Sequence, residues 1–226
     1  MREVLLALAA LLVAAPAGAD PLQDRVLAGM KGTDTSDVAF VSTFRSERTG
    51  SAASEIVTRH DPRAAPHWSV LRVDGKAPTA KQSSDILKAA TREPTPGYAR
   101  VARWFGAPAK RVAEAPGQVT YRFTGLPKGT IKMGSHDASS DTIADAVVNT
   151  AGPQPYVERV RFTSAKPFRM MLVVKVDRYV LNSSYAPLAD GRIFPVATDS
   201  EFTGSMMGKS GSLRARSRFT EMQATR

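Results

Sequence analysis

The spacing of apolar residues along the chain predicts helices and strands in a definite order. Behind the Asp20-Pro21 pair, apolar side chains recur every three or four positions as far as Met30, which is the pattern of a capped helix. After Asp37 the period falls to two, and three such segments separated by turn residues follow one another up to Val73. Consecutive strands joined by short turns pair antiparallel, so we expect a meander here.

Helical spacing returns in the middle of the chain. Thr79 and Gln82 stand at the spacing of a capping box before a first helix. A second helix, from Tyr98 to Phe105, carries apolar residues at i, i+3, i+4 and i+7 and is followed by a glycine. Residues 125–140 are rich in Gly, Ser and Lys and are predicted to form a loop. Alternating segments on either side of that loop predict further strands up to Met222.

Together these elements predict an α+β fold in one domain over residues 20–226. Its main part is a long curved antiparallel sheet, a half-barrel, with an N-terminal helix and two inserted helices that cover the concave face. The chain has 226 residues, of which 42% are hydrophobic and 23% are charged. That size and composition are typical of one ordinary globular domain.

The N-terminal segment has the pattern of a signal peptide. Arg2 precedes an apolar run from Val4 to Ala15, and small residues end the segment at Ala19. The run is too short to cross a bilayer as a helix, which needs about 20 residues. We therefore expect export, cleavage after Ala19 and a periplasmic location. The alternative is an N-terminal membrane anchor or a buried helix.

The composition excludes several kinds of site. The chain has no cysteine, which excludes disulfides, thiolate catalysis, Cys-ligated metal sites and a lipid-modified N-terminal cysteine. Lysine and arginine number 31 against 21 acidic residues, which gives a formal charge of +10. Nucleic acid would suit that charge, but no nucleic-acid-binding module is recognisable, so we expect no nucleic-acid partner.

Three arginines alternate along a predicted strand near the C-terminus. Arg214, Arg216 and Arg218 lie on one side of it, with Leu213 and Phe219 on the other. Such a row favours an anionic surface, such as phospholipid or lipopolysaccharide head groups, or an acidic protein. The alternative is a solvated outer face whose charges keep a strand edge from aggregating.

Several apolar positions offer a lining for a hydrophobic ligand. The run Met170 to Val174 does not alternate, as expected for a strand that is buried on both faces. Met133, Met206 and Met207 add flexible side chains that adapt to acyl chains. The predicted ligand-binding residues are Phe40, Phe44, Trp68, Phe105, Tyr121, Phe123, Met171 and Val173. The alternative is that these side chains simply fill the core.

Candidate catalytic and metal-binding residues are poorly supported. Ser135, His136 and Asp137 are adjacent, whereas a catalytic triad brings together residues from separate loops, so we expect a polar turn. Residues 204–210 resemble a phosphate loop but are one residue short, and the three histidines lack metal-ligand spacing. We expect no cofactor, no metal and no enzymatic activity.

Two short segments resemble those of a known family. Trp68 to Thr79 reads WSVLRVDGKAPT, and residues 166–177 read KPFRMMLVVKVD. With the order of elements above, these resemble the LolA/LolB-like periplasmic half-barrels, and in particular a poorly characterised group of exported proteobacterial proteins. The resemblance implies a concave apolar face, covered by helices, that binds acyl chains or an apolar partner. Without a cysteine, the chain would be a soluble member of that family and not a lipid-anchored receptor.

These features predict an exported, monomeric, non-catalytic protein of the cell envelope that binds a lipid, a lipoprotein or another apolar ligand. One alternative is an envelope sensor or assembly protein that binds a protein partner and uses its groove as a structural core. A hydrolase acting on lipid or glycan, with Ser135 and His136 in its site, is a further alternative.

Overall fold

The computed structural model describes residues 20–30, 34–91, 96–134, 136–171 and 173–225. The predicted signal peptide lies outside these ranges. Within them the chain forms three α-helices, one short 3-10 helix and thirteen β-strands.

The helices lie where the sequence pattern predicts them. They are α1 (Pro21–Met30), α2 (Ala80–Ala90) and α3 (Ala99–Phe105), with a 3-10 helix at Ser139–Asp141. The strands in chain order are β1 (Val38–Arg48), β2 (Ser54–His60), β3 (Trp68–Val73), β4 (Lys110–Ala115), β5 (Gln118–Phe123), β6 (Lys132–Met133), β7 (His136–Asp137), β8 (Thr142–Asn149), β9 (Tyr156–Ser164), β10 (Phe168–Met171), β11 (Val174–Pro187), β12 (Ile193–Met206) and β13 (Lys209–Ala224).

Eleven of these strands form a single antiparallel sheet that is not closed. Its order is β3-β2-β1-β13-β12-β11-β9-β8-β5-β4, and β10 pairs with β11 off this path. The strands β6 and β7 form a separate small hairpin within the predicted loop. The first strand lies beside the last, with Phe44 opposite Ser217. An α+β fold with a long antiparallel sheet is therefore confirmed, and the predicted meander forms one end of it.

The two faces of the sheet differ in burial. On β8, Ala144, Ala146 and Val148 are buried, whereas the residues between them are half-buried. We call the side that carries these three residues the inner face and the opposite side the outer face. The cross-strand register carries one row of the inner face across the sheet through Ala146, Val160, Ser183, Thr198, Ser217, Phe44 and Ile56.

The main core lies under α1 and α3. Their buried residues pack in one cluster with the inner face of β5, β8 and β9. Trp104 of α3 is central to it, because its ring meets Phe123 at 5.1 Å and Phe162 at 5.3 Å, both edge-on. Edge-on aromatic pairs add about 0.5–1.5 kcal/mol each beyond the burial of their surface.

A second, smaller core lies near the other end of the sheet. Phe40, Val38 and Phe194 are buried there, and Trp68 and Phe219 pack against them. The Phe40 ring stands edge-on to Trp68 and to Phe219, at 5.6 Å from each. The inner face between the two cores carries small polar residues, so the core is not continuous along the sheet.

Helix α1 is tied to the edge strand β4 through its N-cap. Asp20 Oδ1 accepts a hydrogen bond from the Leu22 amide at 2.9 Å, as the capping pattern predicts. The Arg111 guanidinium of β4 donates to both oxygens of the same carboxylate. Arg111 also lies 5.7 Å from the centre of the Tyr121 ring, within the range of a cation–π contact.

Helix α2 differs from the other two helices in how it packs. Its predicted capping box is present, since the Thr79 side chain accepts from the Gln82 amide and the Gln82 side chain accepts from the Thr79 amide. However, α2 has no buried residue, and its contacts are mainly with the edge strand β3. Burial of the inner face therefore comes from α1 and α3, and only one of the two inserted helices contributes to the core.

Candidate ligand-binding site

A cleft of about 440 Å³ opens between α3 and the inner face of the sheet. We call it the inner cleft. Residues of α3, of the segment 129–131 and of strands β9, β11, β12 and β13 line it. Its volume is within the range of about 300–1,000 Å³ typical of small-molecule sites.

The apolar wall of the inner cleft is made by residues that the two cores hold in place. Trp104 and Val101 of α3 are buried in the main core, and Phe162 of β9 packs beside Trp104. On the far side, Phe219 of β13 is fixed against Phe40 and Phe194 of the smaller core. Because both sides are anchored, the wall is formed before any ligand arrives.

The polar part of the cleft lies on β11 and β12. Ser183 and Thr198 are direct cross-strand neighbours, and Tyr185 follows on the same face of β11. Burial raises the pKa of Tyr185, so its hydroxyl stays protonated at neutral pH. The ring of Tyr185 meets Tyr98 edge-on at 5.3 Å. These groups offer neutral hydrogen bonds and no negative charge.

Two arginines of α3 border the cleft. Arg100 and Arg103 are both exposed and stand three positions apart, so they lie on neighbouring turns of one helix face. Among the described residues, Arg103 has no ion-pair partner within 4.0 Å. The hydrophobic pattern of α3 correctly separates both arginines from the apolar stripe. The pattern of α3 alone does not predict that a cleft borders its apolar stripe, because the other wall of the cleft is formed by strands that are distant in the sequence.

The three predicted surface arginines lie on the outer face, and two of them line a separate groove there. This outer groove has a volume of about 540 Å³ and includes Arg214 and Arg216. Arg214 pairs with Glu201 at 3.1 Å, while Arg216 and Arg218 share Asp199 at 3.6 and 3.0 Å. The predicted alternation is confirmed. Strand β12 supplies a carboxylate to each of the three arginines, so their charge is offset in part, and their binding to an anionic surface stays a prediction.

The eight predicted ligand-binding residues do not gather around one cavity. Phe105, Tyr121 and Phe123 are buried in the main core, and Phe40 is buried in the smaller one. Trp68 is half-buried against Phe40. These five side chains are packed by protein, and none of them borders the inner cleft or the outer groove.

The remaining three predicted ligand-binding residues lie elsewhere. Phe44 is 38% exposed on the inner face of β1, and Val173 is 49% exposed. Val173 stands between β10, which ends at Met171, and β11, which begins at Val174. The prediction that Met170 to Val174 form one strand buried on both faces is therefore wrong, because a turn at Val173 separates two strands. The side chain of Met171 lies outside the described part of the chain.

Of the adjacent serine, histidine and aspartate, the structure describes His136 and Asp137. Ser135 lies outside the described residues. His136 stacks on Phe168 with 4.3 Å between ring centres. The Asp137 carboxylate accepts from the Ser139 hydroxyl at 2.5 Å and from the Gly129 amide at 2.7 Å. Asp137 thus holds the ends of its own loop together.

No family model, curated protein or solved structure matches the chain. In the ranges described, no three His, Asp or Glu side chains are grouped so that they could hold a metal ion. None of the described helices is long and apolar enough to span a membrane. The resemblance to the LolA/LolB-like half-barrels thus stays a prediction.

Proposed function

We propose that the protein binds the apolar part of a lipid, a lipoprotein or a similar amphipathic ligand in the inner cleft, without catalysing a reaction on it. One observation carries the proposal. A single cleft combines aromatic walls, neutral hydrogen-bonding groups on β11 and β12, and two arginines at its border.

The chemistry of each part suits a different part of such a ligand. Apolar surface that leaves water gains roughly 25 cal/mol per Å², and the half-buried rings of Phe162 and Phe219 supply the matching surface. Arg100 and Arg103 would attract an anionic head group, since arginine binds carboxylate and phosphate through paired N–H donors. Ser183 and Thr198 would hydrogen-bond an ester or amide near the head.

The proposal extends to the shape and the location of the protein. We infer that the sheet curves as a half-barrel around α1 and α3, in the manner of a LolA-like domain, and that α3 is the fixed helical wall of the cleft. Cleavage after Ala19 and a periplasmic location belong to the same proposal. An exported carrier with a basic surface would meet anionic lipid head groups in that compartment.

The direct test fills the cleft and leaves the outer surface as a control. Thr198→Trp places an indole in the inner cleft, and Thr203→Trp places the same ring on the outer face of the same strand. The mature protein, freed of lipid, is titrated with a fluorescent long-chain fatty acid. We expect Thr198→Trp to weaken binding at least tenfold and Thr203→Trp to bind like wild type. Equal binding by all three proteins contradicts the proposal.

A protein-binding sensor or assembly factor is the second candidate. It is favoured by the complete packing of Phe105, Tyr121 and Phe123, which leaves those aromatic residues no ligand to contact. The edge strand β4, whose six residues are all exposed, offers free backbone groups to a partner. Cross-linking in the native envelope should then recover a stoichiometric protein partner, and the fatty-acid probe should not bind.

A further inference from the structure

The turn between β12 and β13 exposes apolar side chains at its apex. Met206 is 46% exposed and Met207 is 78% exposed. The neighbouring turn contributes Val173, and the two turns are joined because the Met207 amide donates to the Val173 carbonyl at 2.8 Å. We call Val173, Met206 and Met207 the hairpin tip. The sequence pattern assigned both methionines to a ligand lining, whereas they lie on the surface.

Met207 also has an unfavourable backbone conformation for its residue type. Its φ is +51°, and Gly208 follows with a φ of +80°. Two-residue hairpin turns with both φ angles positive strongly prefer Asn-Gly or Asp-Gly. A methionine here costs backbone energy and leaves an apolar side chain in water, so neither turn formation nor core packing explains it. An apolar surface that contacts this tip would explain both features.

Basic residues surround the tip. The Arg48 guanidinium lies 3.9 Å from the Met206 sulfur. Lys209 is the cross-strand neighbour of Met206, and Lys175 lies on the adjacent strand, where it pairs with Asp177 at 2.6 Å. Within the described residues, Arg48 has no carboxylate partner.

We propose that the hairpin tip inserts into the interface of an anionic phospholipid bilayer, with Arg48, Lys175 and Lys209 on the head groups. Apolar side chains surrounded by lysine and arginine match this interface, where each cation near the surface contributes about 1 kcal/mol. Methionine is flexible and polarizable, which suits disordered acyl chains. A stable protein partner would bury about 800 Å² on each side, far more than three side chains at a turn apex offer. The inference is independent of the inner cleft and goes beyond ligand binding.

The test separates membrane contact from folding. Met207→Asn creates the preferred Asn-Gly turn, so the variant should unfold at the same temperature as wild type or higher. We expect its binding to vesicles of equal parts phosphatidylcholine and phosphatidylglycerol to fall about tenfold, as the loss of one inserted apolar side chain predicts. Val112→Asn, at an exposed apolar position on β4, is the matched control and should bind like wild type.

A charge variant and two lipid compositions complete the experiment. Lys209→Glu should weaken binding to the anionic vesicles, and wild type should bind pure phosphatidylcholine vesicles poorly. Fatty-acid binding in the inner cleft should be unchanged in Met207→Asn, so a failed cleft proposal and a failed tip proposal are distinguishable. Unchanged vesicle binding by Met207→Asn, or no binding of wild type to anionic vesicles, overturns the proposal.

Discussion

Arg111 of β4 donates two short hydrogen bonds to the carboxylate of Asp20 at the start of α1. The Arg111 Nε lies 2.6 Å from Asp20 Oδ2, and the Arg111 Nη2 lies 2.8 Å from Asp20 Oδ1. This pair joins the first helix to an edge of the sheet. The guanidinium holds the pKa of Asp20 far below its usual range. Burial, and then the neighbouring Asp20 carboxylate, raise the pKa of Tyr121 to about 12, so its hydroxyl remains neutral beside the pair.

The lowered pKa of Asp20 makes part of the stability dependent on pH. A carboxyl whose pKa is depressed in the folded state stabilises the protein above its unfolded pKa of about 3.9, and the contribution is lost as the pH falls through the folded value. Asp20→Asn keeps a capping side chain but loses the charge, so we expect a cost of about 1 kcal/mol at pH 7 for this partly exposed pair. The difference from wild type should shrink steadily below about pH 4.

Urea unfolding of the protein at several pH values checks this prediction. Asp24→Asn is the control, because Asp24 is exposed on the same helix and should change stability by less than about 0.5 kcal/mol. A cost for Asp20→Asn that stays constant down to pH 3 would show that the ion pair is not its source.

The smaller core allows a prediction about two adjacent rings. Phe40 is buried, whereas Trp68 is only half-buried beside it. Phe40→Ala should cost about 3–5 kcal/mol, because it removes a ring that Trp68, Phe194 and Phe219 all contact. Trp68→Ala should cost clearly less, since part of its surface is already in water. Thermal unfolding of both variants measures the difference, and a larger cost for Trp68→Ala would contradict this account of the smaller core.

The arginines of α3 should determine which head group the inner cleft accepts. Arg103→Glu places a negative charge where an anionic head would lie, so affinity for a long-chain fatty acid should fall roughly tenfold. Affinity for the alcohol of the same chain length should change little, because it has no charge to repel. Competition against a neutral fluorescent lipid gives both values. Equal losses for the acid and the alcohol would indicate a damaged cleft.

The outer groove should contribute little to stability. Its arginines Arg214 and Arg216 are exposed and pair with Glu201 and Asp199, and exposed ion pairs are worth about 0.2–1 kcal/mol. Arg214→Glu with Arg216→Glu should therefore leave the protein folded and should weaken adhesion to anionic vesicles less than Lys209→Glu does. Circular dichroism and vesicle sedimentation check the two parts. If the double variant lost more vesicle binding than Lys209→Glu, the membrane-binding surface would be the outer groove and not the hairpin tip.

Local sequence patterns predicted the elements with strong periodicity and missed those without it. The capped helices and the first three strands follow from spacing and capping residues. Strand β8 carries Ala144 and Ala146 on its buried face, and alanine has a weak strand preference, so residue types in this segment give little indication of a strand. Strand β4 is an exposed edge without a buried face. The pairing of β1 with β13 joins residues at opposite ends of the chain, which no local pattern contains.

The candidate site was harder to predict than the fold. Alternation places Phe123 on the inner face but does not show that Phe105 and Trp104 fill the space above it. Ser183 and Thr198 are single polar residues in two different strands, and no sequence motif marks them as a site. Only the register of β11 and β12 brings them together under α3. A site assembled from four strands and one helix has no signature in any one segment.

The most direct measurement is the position of a bound acyl chain. A fatty acid with a photoreactive diazirine at its methyl end is bound to the mature protein and irradiated, and the labelled peptides are identified by mass spectrometry. We expect labels on α3 and on β9, β11 and β12 around Phe162 and Tyr185, and we expect Thr198→Trp to abolish them. Labels confined to the outer face, or labelling that Thr198→Trp leaves intact, would contradict the binding of an apolar ligand in the inner cleft.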